Sequence, residues 1–247
     1  MLKVILLAAG VGRRFGEETK NLPKCLLPLP GGGTLLGRYF RSFRELGLRD
    51  VVIVVGHKKE KIKRASIPYA KILKIRFIEN KKYKKGSILS LHAAKNQLNG
   101  DCLIMDADVY FPTAALKKLI RSKKKTAFLA DPRSKSTGEE MMLQSKNGKV
   151  FSISKKPDPL LKPVAEATGL FKISGKDISS LKKILDQLVR QGRTHVEYEE
   201  AYAQLLKKTQ AGFETLRGFW TEVDFKDDWN KIAVQTLKMY SFPGSRS

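Results

Sequence analysis

Three separated stretches of the chain carry residue types that could do chemistry. Asp106-Ala107-Asp108 follows the apolar run Cys102-Leu103-Ile104-Met105. Carboxylates at a strand end are hard oxygen donors suited to Mg²⁺, which typically takes one or two of them plus substrate phosphates. Alternate residues of an extended chain share a direction, so Asp106 and Asp108 can point the same way. A polar strand end that merely caps the next turn is the alternative. Near the start, Gly10, Gly12 and Gly16 alternate with Arg13 and Arg14, and Pro23-Lys24 follows. Glycines here allow a sharp turn or the close approach of a ligand to the backbone. Near the other end, Trp220-Thr221-Glu222-Val223-Asp224 leads into the acidic pair Asp227-Asp228.

The glycines follow neither of two common phosphate-binding patterns. The dinucleotide fingerprint needs glycines at the first, third and sixth places, and the P-loop must end in Gly-Lys-Ser/Thr. Here Gly16 sits one place too late for the first and precedes Glu17 rather than lysine.

The elements that must position these residues follow from periodicity. Val4-Ile5-Leu6-Leu7-Ala8-Ala9 is an apolar run that reads as a fully buried strand. Thr34 can cap a helix running to Gly47. Strands are expected over 51–56, 72–78, 102–105 and 127–130, with helices over 57–65, 87–97 and 112–122. Such alternation predicts a doubly wound, mostly parallel α/β sheet, whose ligands sit at the carboxyl ends of the strands. From about residue 131 to 175 the pattern turns antiparallel: short strands 141–144 and 150–154 flank Asn147-Gly148, a hairpin signal, and 168–173 is a further strand. Helices over 177–190 and 197–207, a strand over 213–216, an extended piece over 220–224 and a last helix over 227–237 complete a single domain of residues 1–240. A tail over 241–247 is expected to fray.

The 247 residues are 42% hydrophobic, enough for one sizeable core. Two cysteines without metal-like spacing fit a reducing cytoplasm, and no apolar run approaches the ~18 residues of a membrane span. A soluble cytoplasmic protein is expected. The net charge of +24 raises nucleic-acid binding as a reading. The lysine clusters are scattered, however, and mostly lack interleaved aromatics, so they are read as solvated faces that help steer anionic substrates.

Leu7-Ala8-Ala9-Gly10-x-Gly12-x-Arg14, Thr19 and Pro23-Lys24 resemble the signature of nucleotidyltransferases that make sugar nucleotides and CDP-alcohols. The segment Trp220 to Asp228 is similar to that family's Trp-x-x-(Val/Ile)-Asp-x-x-x-Asp. The resemblance implies that Leu7, Ala8, Ala9, Gly10, Gly12, Arg13 and Lys24 hold the nucleotide. Arg14 would clamp its outer phosphates, and Lys24 would neutralise charge near the α-phosphate. Asp108 and Asp224 would bind Mg²⁺, and Asp227 would cap the last helix. Gly86-Ser87 with Ser90-Leu91 resembles the turn packed against base and ribose in cytidylyltransferases, with Ser87 also an ordinary N-cap; Asp106 joins this nucleotide-binding set. Lys156, Glu166, Thr168-Gly169, Tyr198 and Trp220 would line the acceptor pocket. The expected reaction joins an NTP, CTP foremost, to a phosphorylated alcohol, amino-alcohol or sugar and releases pyrophosphate, in an enzyme that can form a homodimer. Sugar-1-phosphate guanylyl- or uridylyltransfer, a GT-A glycosyltransferase and a basic nucleic-acid-binding protein are the competing readings.

Overall fold

The computed structural model describes residues 2–161 and 163–241; the expected frayed tail lies, from residue 242 on, outside them. Its strands are β1 Lys3–Ala8, β2 Asp50–Val55, β3 Lys74–Glu79, β4 Cys102–Asp106, β5 Val109–Tyr110, β6 Ala127–Asp131, β7 Met142–Lys146, β8 Lys149–Ser154, β9 Ala165–Ile173, β10 Gly212–Thr215 and β11 Thr221–Glu222. Its α-helices are α1 Glu18–Asn21, α2 Leu35–Glu45, α3 Lys59–Ser66, α4 Ile88–Ala93, α5 Thr113–Arg121, α6 Gly175–Arg190, α7 Glu199–Leu206 and α8 Lys226–Ser241.

The main sheet runs β10-β6-β9-β4-β1-β2-β3, with the β7–β8 hairpin attached to β9. Pairings among β1, β2, β3 and β4 are parallel, as is β10 with β6, while β9 runs antiparallel between β4 and β6. The antiparallel element therefore lies inside the sheet as well as beside it. Asn147 and Gly148 both take positive φ, 51° and 74°, as a type I′ turn between β7 and β8 requires.

Burial on both faces of the sheet explains the continuous apolar strands. Val4, Leu6 and Ala8 face one core with Leu36, Phe40 and Phe43 of α2 and Leu116 of α5. Ile5, Leu7 and Ala9 face the other with Leu91 of α4, Leu181 and Leu185 of α6 and Leu205 of α7. Helix placement on both sides follows from this period of two.

Local chemistry moves several boundaries. Lys58 adopts a left-handed backbone (φ 48°), so α3 starts after it rather than at His57. The stretch 87–97 divides into α4 and a single 3₁₀ turn, Lys95–Gln97. The hydroxyl of Thr34 accepts the N–H of Gly37 at 3.1 Å, capping α2 as expected. No helix among the described residues is long and apolar enough to cross a membrane.

β1 lies between β2 and β4, which is where strand order reverses, and the N–H of Ala107 donates to the carbonyl of Leu7 at 3.1 Å. The glycine loop after β1 and the Asp-Ala-Asp turn after β4 thus emerge side by side at the switch point. Thr34→Ala is expected to lower unfolding free energy by about 0.5–2 kcal/mol, measured by urea denaturation. An unchanged midpoint would show that the Gly37 N–H has another acceptor.

Candidate active site

The loop after β1 is built to stay close to a ligand. A side chain on Gly10 would project into open space, whereas a Cβ on Gly12 (φ +71°) would stand 2.9 Å from Cγ of Lys24. Glycine at position 12 therefore serves both the left-handed turn and the lysine stem packed on it. The Thr19 hydroxyl lies 2.8 Å from the carbonyl oxygen of Gly12 and 2.9 Å from that of Gly16. Among the described hydrogen bonds, the N–H groups of Gly10, Val11 and Gly12 reach no acceptor. Successive unpaired N–H groups in a turn form an anion-binding concavity. Leu7, Ala9, Gly10, Gly12, Arg13 and Arg14 line a cleft of about 1650 Å³. Ala8 and Lys24 line a small cavity beside it, with Pro23 and Cys25.

The carboxylates meet at this loop. Oxygens of Asp108, Glu222 and Asp224 lie within 4.8 Å of one another. The Lys24 ammonium sits between Asp108, at 3.0 Å, and Asp224, while Arg14 reaches Asp224 at 2.6 Å. Burial opposes the charge on Lys24, but the carboxylates of Asp108 and Asp224 outweigh it and hold its pKa above that of an ordinary lysine. Burial in the cleft, with Asp108 and Asp224 adding negative charge, pushes Glu222 up to about 8, although its side chain keeps solvent contact. The short ladder of β5 with β11 brings these groups together, and the Val223 N–H donates to the carbonyl of Asp108 at 2.8 Å. Asp228 rather than Asp227 supports the turn, its carboxylate accepting the N–H groups of Asp224 and Phe225 at 3.0 and 2.9 Å.

The other end of the cleft gathers part of the expected acceptor set. Asp106 accepts the hydroxyl proton of Tyr198. Burial, then the negative charge of Asp108 and Glu199, raises the Asp106 carboxyl well above the ordinary range. Gly169 (φ +72°) leaves room for it, since a Cβ there would stand 2.7 Å from Asp106 Oδ2. Glu166, Gly169, Tyr198 and Trp220 all line the cleft. The Trp220 indole N–H donates to Asp131 at 2.7 Å, and Arg133 pairs with the same carboxylate.

Other expected residues sit elsewhere. Thr168 is buried and donates to the carbonyl of Leu129 at 3.0 Å, because it alternates along β9 with Ala167 and Gly169, which line the cleft. Lys156 lies outside the cleft lining, and Lys155 takes the place, paired with Glu197 at 3.1 Å. Ser87 and Ser90 line the cleft, and Ser87 holds the N-cap position of α4 without a side-chain cap bond, its hydroxyl instead accepting the N–H of Tyr198 at 3.0 Å. Gly86 is packed away from the cleft, where a Cβ would come within 2.2 Å of the Val196 carbonyl oxygen. Glu222 was not anticipated. Its place two residues before Asp224 in an extended piece is the signal that could have found it. Gly86→Ala is expected to destabilise the fold by about 1–3 kcal/mol, read from the urea midpoint. A wild-type midpoint would mean that the Thr194–Val196 segment yields freely.

The chain can now be set beside known proteins. The family model described as the MobA-like NTP transferase domain matches residues 4–172. Bifunctional protein GlmU of Methanococcus aeolicus is 25% identical over 95% of this chain, which spans only 54% of that protein's length. CTP:phosphoglutamine cytidylyltransferase of Campylobacter jejuni is 24% identical, with 92% of this chain and 97% of that one covered. Among solved structures, CTP:phosphocholine cytidylyltransferase from Streptococcus pneumoniae shares the fold with a TM-score of 0.78, at 22% identity over 95% of this chain and 99% of that one. The family match runs from β1 through the glycine loop and the Asp-Ala-Asp turn into β9, and this chain belongs to the MobA-like NTP transferase domain family.

Proposed function

We propose that the protein transfers a nucleotidyl group from an NTP, CTP foremost, to a phosphorylated alcohol, amino-alcohol or sugar in the cytoplasm. The observation that carries this reading is the meeting of unpaired loop N–H groups, a buried lysine and three carboxylates at one switch point. An oxygen of the acceptor phosphate would attack the α-phosphorus, and the bond to the β-phosphate would break as pyrophosphate leaves with its electron pair. The nucleophile is already anionic, so no general base is needed. What remains is to position two anions and neutralise their charge.

Each part of the site suits one of those tasks. The N–H groups of Gly10 to Gly12 would hold triphosphate oxygens. Arg14, more than half exposed at 56%, is free to swing from Asp224 onto the outer phosphates. Lys24, only 12% exposed, is held where charge gathers near the α-phosphate. Asp108 and Asp224, with Glu222 beside them, fit Mg²⁺ in donor chemistry, being hard oxygens close enough together to draw in a lysine cation. When bound there, the ion supplies neutralisation of the phosphate oxygens. Ser87 and Ser90, which line the same cleft, would meet base or ribose.

The carboxylate assignment predicts that Asp108→Ala and Asp224→Ala each lower kcat/KM by about a hundredfold or more, with native circular dichroism. Activity within about threefold of wild type, roughly 0.65 kcal/mol, would remove that residue from the site.

Base choice is tested separately. Cytosine presents an amino donor where uracil presents an acceptor, so groups paired with cytosine are left unsatisfied by uracil. CTP is expected to exceed UTP in kcat/KM by about tenfold or more, scored by pyrophosphate release across four NTPs. Preference for UTP or GTP would end the cytidylyl assignment and leave the transferase in place.

A further inference from the structure

Beyond the groups needed for phosphate chemistry, the cleft contains a buried tyrosine hydroxyl without a partner and two carboxyls without a cation among the described residues. Tyr202 is 2% exposed, lines the cleft, and its hydroxyl is buried with no hydrogen-bond partner among the described residues. A buried hydroxyl left unpaired is a cost that native structures rarely carry without reason. Around it the Tyr198 ring stands edge-on at 5.3 Å and that of Phe171 at 4.4 Å. Asp106 and Glu199, both partly buried, also line this end.

Neither carboxylate has a lysine or arginine within ion-pairing distance among the described residues. That is unexpected in a chain with 48 lysines and arginines against 24 acids. Nearby acids do find cations, Glu197 pairing with Lys155 and Asp131 with Arg133. Two carboxyl groups without a cation and an unpaired hydroxyl beside aromatic rings describe a receptor for a cation, which would favour the ionised carboxylates and is also attracted to ring faces.

We propose that this end of the cleft holds a protonated, N–H-bearing amine of the acceptor, so that the preferred acceptor is a phosphorylated primary amine. This rests on the transferase reading above. An ammonium with N–H bonds can donate to the Tyr202 oxygen and to both carboxylates. A quaternary ammonium supplies the missing cation but leaves the Tyr202 hydroxyl unpaired, and a neutral hydroxyl leaves both carboxyls without a cation. The Tyr198 hydroxyl already donates a hydrogen bond to Asp106, which fixes that carboxyl for the approach. Asp106 lies two residues from Asp108, at most about 7.6 Å at Cα, which suits an amine and a phosphate joined by a short linker.

The test is calorimetric binding of phosphoethanolamine, phosphocholine and glycerol 3-phosphate, with and without a non-hydrolysable CTP analogue and Mg²⁺. Phosphoethanolamine is expected to bind at least about tenfold tighter than the other two. Glu199→Gln and Tyr202→Phe are each expected to narrow that ratio toward one. Tyr202→Phe loses no hydrogen bond, so its unfolding midpoint is expected not to fall, which separates a binding role from a structural one. Equal affinities for the three probes, binding of none, or an unaltered ratio in both variants would overturn the amine site. Pyrophosphate release assayed in parallel separates the two readings. Selective amine binding without turnover of any NTP keeps the site and sinks the transferase, whereas turnover that prefers glycerol 3-phosphate does the reverse.

Discussion

The structure around the cleft depends on keeping carboxylates together that repel one another. Lys24 meets Asp108 and Asp224 from positions 84 and 200 residues away in the chain, so one ammonium ties together the loop after β1, the turn after β4 and the approach to α8. Glu222 adds a third carboxyl and Arg14 a second cation. Removing one partner from a buried pair typically costs about 3–5 kcal/mol, because the other charge is left uncompensated. The surrounding backbone is arranged to bear this: the β5–β11 ladder sets the separation, and Asp228 secures the N–H groups at Asp224 and Phe225. A site held together by balanced charge is also one that a polyanion and its counter-cation can rearrange, since Lys24 would leave two carboxylates and Arg14 one carboxylate and the face of Phe225.

Much of this was legible because burial on both faces writes itself into the sequence. Val4 to Ala9 and Val51 to Val55 could only be interior strands, and their order with the intervening helices placed the glycine loop and Asp106-Ala107-Asp108 at one sheet edge. The Asn147-Gly148 turn and the Thr34 cap were legible for local reasons, as each requires a particular residue type. The position of β9 was not. An antiparallel strand between β4 and β6 is set by pairing partners far apart in sequence, and its own residues reveal only that it is buried.

The site was legible where side chains alternate strictly and obscure where a bend intervenes. Lys155 and Lys156 follow β8 at its end, beyond the reach of the strand's period of two, so the sequence could not say which of them enters the cleft. Gly86 and Ser87 looked like a turn open to a base, yet their packing partner is the Thr194–Tyr198 segment, more than a hundred residues on. Asp227 and Asp228 are both plausible caps by composition; only the folded turn, which brings the N–H groups of Asp224 and Phe225 to the Asp228 carboxylate, selects the second.

The charge distribution takes on a different meaning once the cleft is mapped. The protein carries +24 overall, yet eleven of its 24 acidic residues line the cleft, against seven of its 48 lysines and arginines. A basic exterior around an acidic cleft is the wrong pattern for gripping a nucleic-acid backbone there, because phosphate contacts need the cations inside the groove. It suits small polyanions that are drawn in by the long-range field and then admitted only with positive charge of their own or beside them. A metal ion at one end and a substrate ammonium at the other would each supply that charge. The excess of carboxylates within the cleft would thus select which anions can stay, while the lysines outside it would govern how often anions arrive.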